Sequence, residues 1–93
     1  YQMVERDFAF LFPKDVKANE IIKKVKKIDK NIIKNVTIFD VYDGDKLPVN
    51  KKSIAFRVLL QPQGKTFNDQ EIDELSNKII DEISKSLDAS IRN

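Results

Sequence analysis

The 93 residues predict an α+β fold, a four-stranded antiparallel sheet with two helices on one face, in the chain order β-α-β-β-α-β. Three observations predict it. Two stretches repeat apolar residues at helical spacing, three others run β-branched and aromatic at strand length, and turn-forming residues fall between them. Right-handed crossovers fold this order into the ferredoxin-like, or split β-α-β, arrangement. The first and third strands become central neighbours, with the second and fourth at the edges. The helices then cover one sheet face and leave the other open.

Residues 5–12 (ERDFAFLF) form the first strand, stopped by Pro13, which has no N–H to donate to a ladder. Ile21, Val25 and Ile28 recur at i, i+4 and i+7, with Ile22 widening the stripe and lysines 23, 24, 26 and 27 opposite. This is an amphipathic helix over residues 18–28. Residues 32–43 give the second strand and residues 51–61 the third, separated by the loop DGDKLPVN. Asn68 followed by Glu71 is a capping-box-like start for the second helix, whose inward stripe is Ile72, Leu75, Ile79, Ile83 and Leu87. The tail, residues 88–93, is short enough for a closing edge strand. No repeat, linker or low-complexity tract divides the chain, so residues 1–93 are read as a single domain. It opens on Tyr1 rather than Met, and is therefore expected to be a piece of a longer protein.

Composition excludes several function classes. Without cysteine there are no disulfides, zinc thiolates or thiol nucleophile, a pattern that fits a reducing compartment. Without histidine the commonest general base and metal ligand is missing. No run approaches the roughly 18 apolar residues of a membrane span, so no membrane partner is expected. The net charge of +2 is too small to announce nucleic-acid binding, although residues 1–52 carry 12 basic against 8 acidic groups.

Residues 39–57 hold the most informative pattern. Strand alternation points Phe8, Phe10, Phe39, Val41, Ile54, Phe56 and Val58 to the helices. It points Asp7, Ala9, Leu11, Ile38, Asp40, Tyr42, Ser53, Ala55, Arg57 and Leu59 to the open side. A one-residue slip would bury Asp40 and Arg57. The open side thus offers a flat ring, a carboxylate, a hydroxyl, small residues and a cation, which together suit a planar, hydrogen-bonding ligand such as a nucleobase. Tyr42 can stack on a base, and Ala9 and Ala55 leave room for one. Asp40 can accept from the two donors, N1 and N2, on the Watson–Crick edge of guanine, with Ser53 beside it. A purely structural hairpin, with a half-buried tyrosine among solvated polar groups and an Asp40–Arg57 surface ion pair, fits the same residues.

The segments ERDFAF, FDVYDG, KKSIAFR, TFNDQEI and the final Ile91-Arg92 stand in an order and spacing that resemble one family over residues 5–92. It is the ferredoxin-fold anticodon-binding domain at the C-terminus of bacterial-type phenylalanyl-tRNA synthetase β subunits. The FD-x-Y-x-G block, followed eleven residues after its tyrosine by S-x-A-F-R, is the specific part. The resemblance implies that the open face meets the anticodon stem-loop of phenylalanine tRNA, whose first anticodon base is guanine. Asp40 and Ser53 would bond that base, Tyr42 would stack on it and Ala55 would leave it room. Arg57, Arg6, Lys51 and Lys52 are further candidates for RNA contact. It also implies a parent enzyme, a cytoplasmic heterotetramer with catalytic α subunits and other β-subunit domains, that uses ATP and Mg2+ elsewhere. No catalytic residue, cofactor or metal is expected in this domain. Asn50 stands where family members usually have glycine, and tolerates the left-handed conformation. Phe67-Asn68 replaces the common Leu-Thr, and Asn68 still caps.

Other functions use this fold. A general single-stranded RNA reader of the RNA-recognition-motif kind places aromatics on its central strands, where this chain has Ala9, Ser53, Ala55 and Arg57. An acylphosphatase-like hydrolase needs a Gly-rich anion cradle after the first strand, and FPKDVKANE has no glycine. The Gly-rich ligand turn of small-molecule regulatory domains is not visible either. The lysine run at 23–30 reads as a solvated helix face. Asp43 and Asp45 lack the remaining ligands of a calcium loop.

Overall fold

The structure is a computed structural model that describes residues 2–92. Its elements are β1 (Val4–Pro13), α1 (Ala18–Ile28), β2 (Ile33–Tyr42), β3 (Lys51–Leu60), α2 (Asp69–Ser86) and β4 (Ser90–Ile91). The strands form one antiparallel sheet in the order β2-β3-β1-β4, with β3 and β1 at its centre. The predicted order and the neighbours of each strand are those observed. The last strand is shorter than residues 88–93 suggested, and Asn93 lies outside the described residues.

The core lies between the sheet and the helices. Phe8, Phe10 and Phe12 of β1 and Ile54, Phe56 and Val58 of β3 point into it. Phe56 stacks between two rings of the neighbouring strand, 5.8 Å from Phe10 at an interplanar angle of 2° and 5.5 Å from Phe8. Ile21 and Val25 of α1 and Ile72, Leu75, Ile79 and Ile83 of α2 close it from the other side, so each helix buries the stripe its periodicity marks. Local signals set the helix ends. The Asn68 Oδ1 accepts from the Glu71 N–H at 2.8 Å, and the Glu71 carboxylate accepts from the Asn68 N–H at 3.1 Å, a reciprocal cap. On α1 only half of that device is present, with the Lys17 N–H donating to Glu20 at 3.1 Å.

β2 departs from simple alternation. Its register to β3 shifts between Ile33 and Asn35 and again between Ile38 and Asp40. Each shift adds a residue to the edge strand that has no partner opposite, a β-bulge. The second bulge reverses two expectations. Ile38 lies opposite Phe56 and packs against the core rather than facing the open side. Phe39, expected among the helices, is 49% exposed. Val41 keeps its expected register opposite Ile54, yet it is 58% exposed.

The β2–β3 loop ends at Asn50, whose φ of 63° is the left-handed conformation expected there. That turn lets the Asn50 carbonyl accept from the Lys14 N–H at 3.1 Å, tying the loop to the end of β1. Two substitutions test this account. Phe10→Ala should cost about 3–5 kcal/mol, because a fully buried ring leaves a cavity. Asn68→Ala should cost about 1 kcal/mol through the lost cap. Urea unfolding measures both, and equal losses would contradict the assignment.

Candidate nucleobase-binding face

Two adjacent rungs of the sheet carry the four central candidates. Asp40 pairs with Ala55, which pairs onward with Ala9. Tyr42 pairs with Ser53, which pairs onward with Leu11. Neighbouring strands are about 4.8 Å apart and same-face residues about 7 Å apart along a strand. The four side chains therefore bound an area about the size of one base. Beyond the bulge, Asp40 and Tyr42 still fall on the open side, because the extra residue precedes them.

The chemistry of each position follows from its neighbours. The two central alanines give the patch a low floor. Ser53 is only 4% exposed between Leu11 and Tyr42. Among the described residues no fully buried side-chain oxygen or nitrogen is left without a partner, and no protein group bonds the Ser53 hydroxyl. That hydroxyl therefore keeps a line to solvent, or to a ligand on the face. Tyr42 is 39% exposed at the edge strand, with its ring lying against Gly44.

Arg57 is engaged elsewhere. Its Nε and one terminal nitrogen donate to the two carboxylate oxygens of Asp7, at 2.8 and 3.0 Å, a bidentate pair across β1 and β3. The Glu5 carboxylate lies 4.0 Å from the same guanidinium, and the Phe39 ring centroid lies 5.0 Å from it. An Asp40–Arg57 ion pair, one of the two readings open to the sequence, is therefore not formed. Asp40 makes no ion pair or side-chain hydrogen bond among the described residues and is exposed. The face thus has two halves: a charge-compensated one around Arg57, and one around Asp40 whose carboxylate is unopposed.

The remaining candidates are scattered. Lys51 follows the parity of Ser53 and stands on the open side opposite Pro13. Lys52 lies opposite Phe12 and Arg6 opposite Val58, both on the helix-side parity. Arg6 also donates to the Glu5 carbonyl at 2.8 Å. Lysines 23, 24, 26 and 27 are exposed on the outer side of α1, behind the sheet. A groove of about 420 Å3 does lie between the helices, lined by Lys24, Lys27, Ile28, Lys78, Asp81 and Glu82. It is remote from the two rungs and mixes both signs of charge, so the flat face remains the better candidate.

Sequence reasoning missed three residues here. Phe39 reaches the open side through the bulge. Gly44 underlies Tyr42. Arg92 is brought beside Ala9, to whose carbonyl its N–H donates at 2.7 Å. The signal for the first was present: Ile33, Val36, Ile38 and Val41 break period two by three-residue steps, each step marking one extra residue.

The Arg57 hydrogen bonds hold the Asp7 carboxyl below its ordinary value of 3.8, and the same pair raises Arg57. A depressed carboxylate contributes stability that is complete above its unfolded value and is lost as pH falls through the folded one. Carboxyl NMR should therefore give Asp7 a midpoint below 3.8, and Arg57→Gln should return it toward 3.8. A midpoint at or above that value in the unsubstituted chain would mean the bidentate pair does not persist in solution.

The family model described as "Ferredoxin-fold anticodon binding domain" matches residues 1–92. A phenylalanine–tRNA ligase beta subunit of Nitrobacter winogradskyi is 41% identical over 92 residues, covering 99% of this chain and 11% of the relative. That of Bdellovibrio bacteriovorus is 38% identical with the same coverage. That of Zymomonas mobilis is 46% identical over 79 residues, or 85% of this chain and 10% of the relative. The chain thus spans about a tenth of the length of the curated relatives it matches.

Proposed function

The chain belongs to the ferredoxin-fold anticodon-binding domain family, and from that premise we propose that its open sheet face reads the first anticodon base, a guanine, of phenylalanine tRNA. The observation that carries this reading is the unopposed Asp40 carboxylate. It stands one rung from Tyr42 and Ser53 and beside the low floor of Ala55 and Ala9. A carboxylate accepts from both guanine donors at once, whereas adenine presents an acceptor at N1 and loses one of the two bonds. Tyr42 supplies the stacking surface, worth about 1–3 kcal/mol per base. Ser53 completes the polar edge. Lys51, on the same face, gives the contact its phosphate attraction and salt dependence.

On the same reading, this chain is part of a phenylalanine–tRNA ligase β subunit, working in the cytoplasm with α subunits and other β-subunit domains. The parent joins phenylalanine to its tRNA with ATP and Mg2+. Among the described residues no cluster of three or more acidic, histidine or cysteine side chains is placed to hold a metal. Nor is any described helix long and apolar enough to cross a membrane. The domain's part is to bind and orient the tRNA while the chemistry proceeds elsewhere.

Titration with anticodon stem-loops bearing guanine or adenine at the first anticodon position tests the reading. Amide shifts should concentrate on residues 40–42 and 53–55 and be larger for guanine. Asp40→Asn should remove most of that preference, about 1–3 kcal/mol for a bidentate pair with a base. Shifts confined to α1 and α2, or equal responses to both loops, would refute the open-face site.

A further inference from the structure

The two glycines of this chain are required for opposite reasons. Gly64 has a φ of 78°, where a side chain is strained, and a Cβ built there meets nothing within 4 Å. Gly44 is not among the residues with positive φ, so its backbone imposes no such demand. A Cβ built there would instead overlap the hydroxyl and Cζ of Tyr42 and come within 2.9 Å of its Cε1. The ring of Tyr42 lies directly over the bare Cα of a residue two places along the chain. What requires glycine at this position is the ring.

Side-chain freedom makes this contact relevant to binding. An exposed tyrosine samples several rotamers, and a base that stacks on it must select one. Seating one edge of the ring on the main chain limits that sampling before the ligand arrives, and pre-organisation of this kind lowers the cost of association. The ring is still 39% exposed, so surface remains available to a ligand. The flanking loop supports the seat. Leu47 N–H donates to the Gly44 carbonyl at 3.1 Å, closing a turn at the glycine, and the preceding Asp43 pairs with Lys14 at 3.4 Å.

We propose that Gly44 is a positioning residue for base stacking, the seat on which Tyr42 is held in the orientation that takes the base. The inference rests on the reading of the open face as the anticodon-base site. It gives the loop between β2 and β3 a part in recognition although its own side chains need not touch the RNA.

The test uses the 93-residue chain, Tyr42→Ala, Gly44→Ala and the double variant, titrated with the guanine-bearing anticodon stem-loop. Tyr42→Ala should weaken binding roughly five- to a hundredfold, the range of one stacked base. Gly44→Ala should weaken it several-fold, without loss of thermal stability, because alanine at an ordinary φ reduces the freedom of the unfolded chain. The double variant should bind no more weakly than Tyr42→Ala alone. In the unsubstituted chain the Gly44 Hα resonances should be displaced by the ring current of Tyr42 and return to ordinary values in Tyr42→Ala. If Tyr42→Ala binds normally, the stacking reading falls and the seat falls with it. If Tyr42→Ala weakens binding but Gly44→Ala does not, or if the two losses add, the seat alone is refuted. The ring-current measurement needs no glycine variant, and its absence would refute the seat even if Gly44→Ala failed to fold.

Discussion

The centre of the open face is positioned by the continuous antiparallel pairing of β1 with β3 from Val4–Leu60 to Pro13–Lys51, onto which β2 adds Asp40 and Tyr42. Because side chains alternate, this one ladder commits Phe8, Phe10, Phe12, Ile54 and Phe56 to the core and Asp7, Ala9, Leu11, Ser53, Ala55 and Arg57 to the other side. Slipping β1 by one residue against β3 would turn Phe8, Phe10 and Phe12 out of the core. The burial that stabilises the fold therefore also fixes the spacing of Ser53 and Ala55, the central-strand half of the proposed site. The open-face side chains of both strands are placed by hydrophobic packing on the far side.

Electrostatics then divides that face. Arg57 has three neighbours able to hold it, Asp7, Glu5 and Phe39, and it takes Asp7 in bidentate geometry. A guanidinium engaged in this way is less available to a phosphate, and its sequestration leaves Asp40 without a cation. Had Arg57 turned the other way, the Asp40 carboxylate would itself have been partnered. The exposed pair adds little to stability at this degree of solvation. Its effect is to direct charge rather than to hold the fold together.

The parts of the structure legible in the sequence are those in which one local rule acts alone. The apolar stripes of α1 and α2, the Asn68–Glu71 cap, the Phe8, Phe10, Phe12 alternation and the left-handed Asn50 all follow from period or residue type. The β1–β3 side of the candidate site was legible for the same reason. β2 was not, because two rules compete on it: strict alternation, and the need to keep Ile33, Val36 and Ile38 on the core through odd spacings. Bulges reconcile them, with Phe39 and Ile38 exchanging the faces that alternation assigns. Which cation partners which carboxylate was also beyond a one-dimensional reading, since Asp7 and Asp40 both flank Arg57 and only the three-strand register distinguishes them. The role of Gly44 depends on where a ring comes to rest, which no composition or period encodes.

The two bulges of β2 have a consequence for how the molecule behaves among its own copies. Strand β2 is a sheet edge, and a regular ten-residue edge would present a row of unpaired main-chain donors and acceptors to any passing strand. Bulges locally disrupt that row and bend the strand, so an incoming chain cannot zip along it in register. The opposite edge is shielded differently, by a β4 of only two residues. Neither edge of the sheet therefore offers a long regular strand for another chain to pair with. The irregularity that set Phe39 beside Arg57 also interrupts the edge along which such pairing would run.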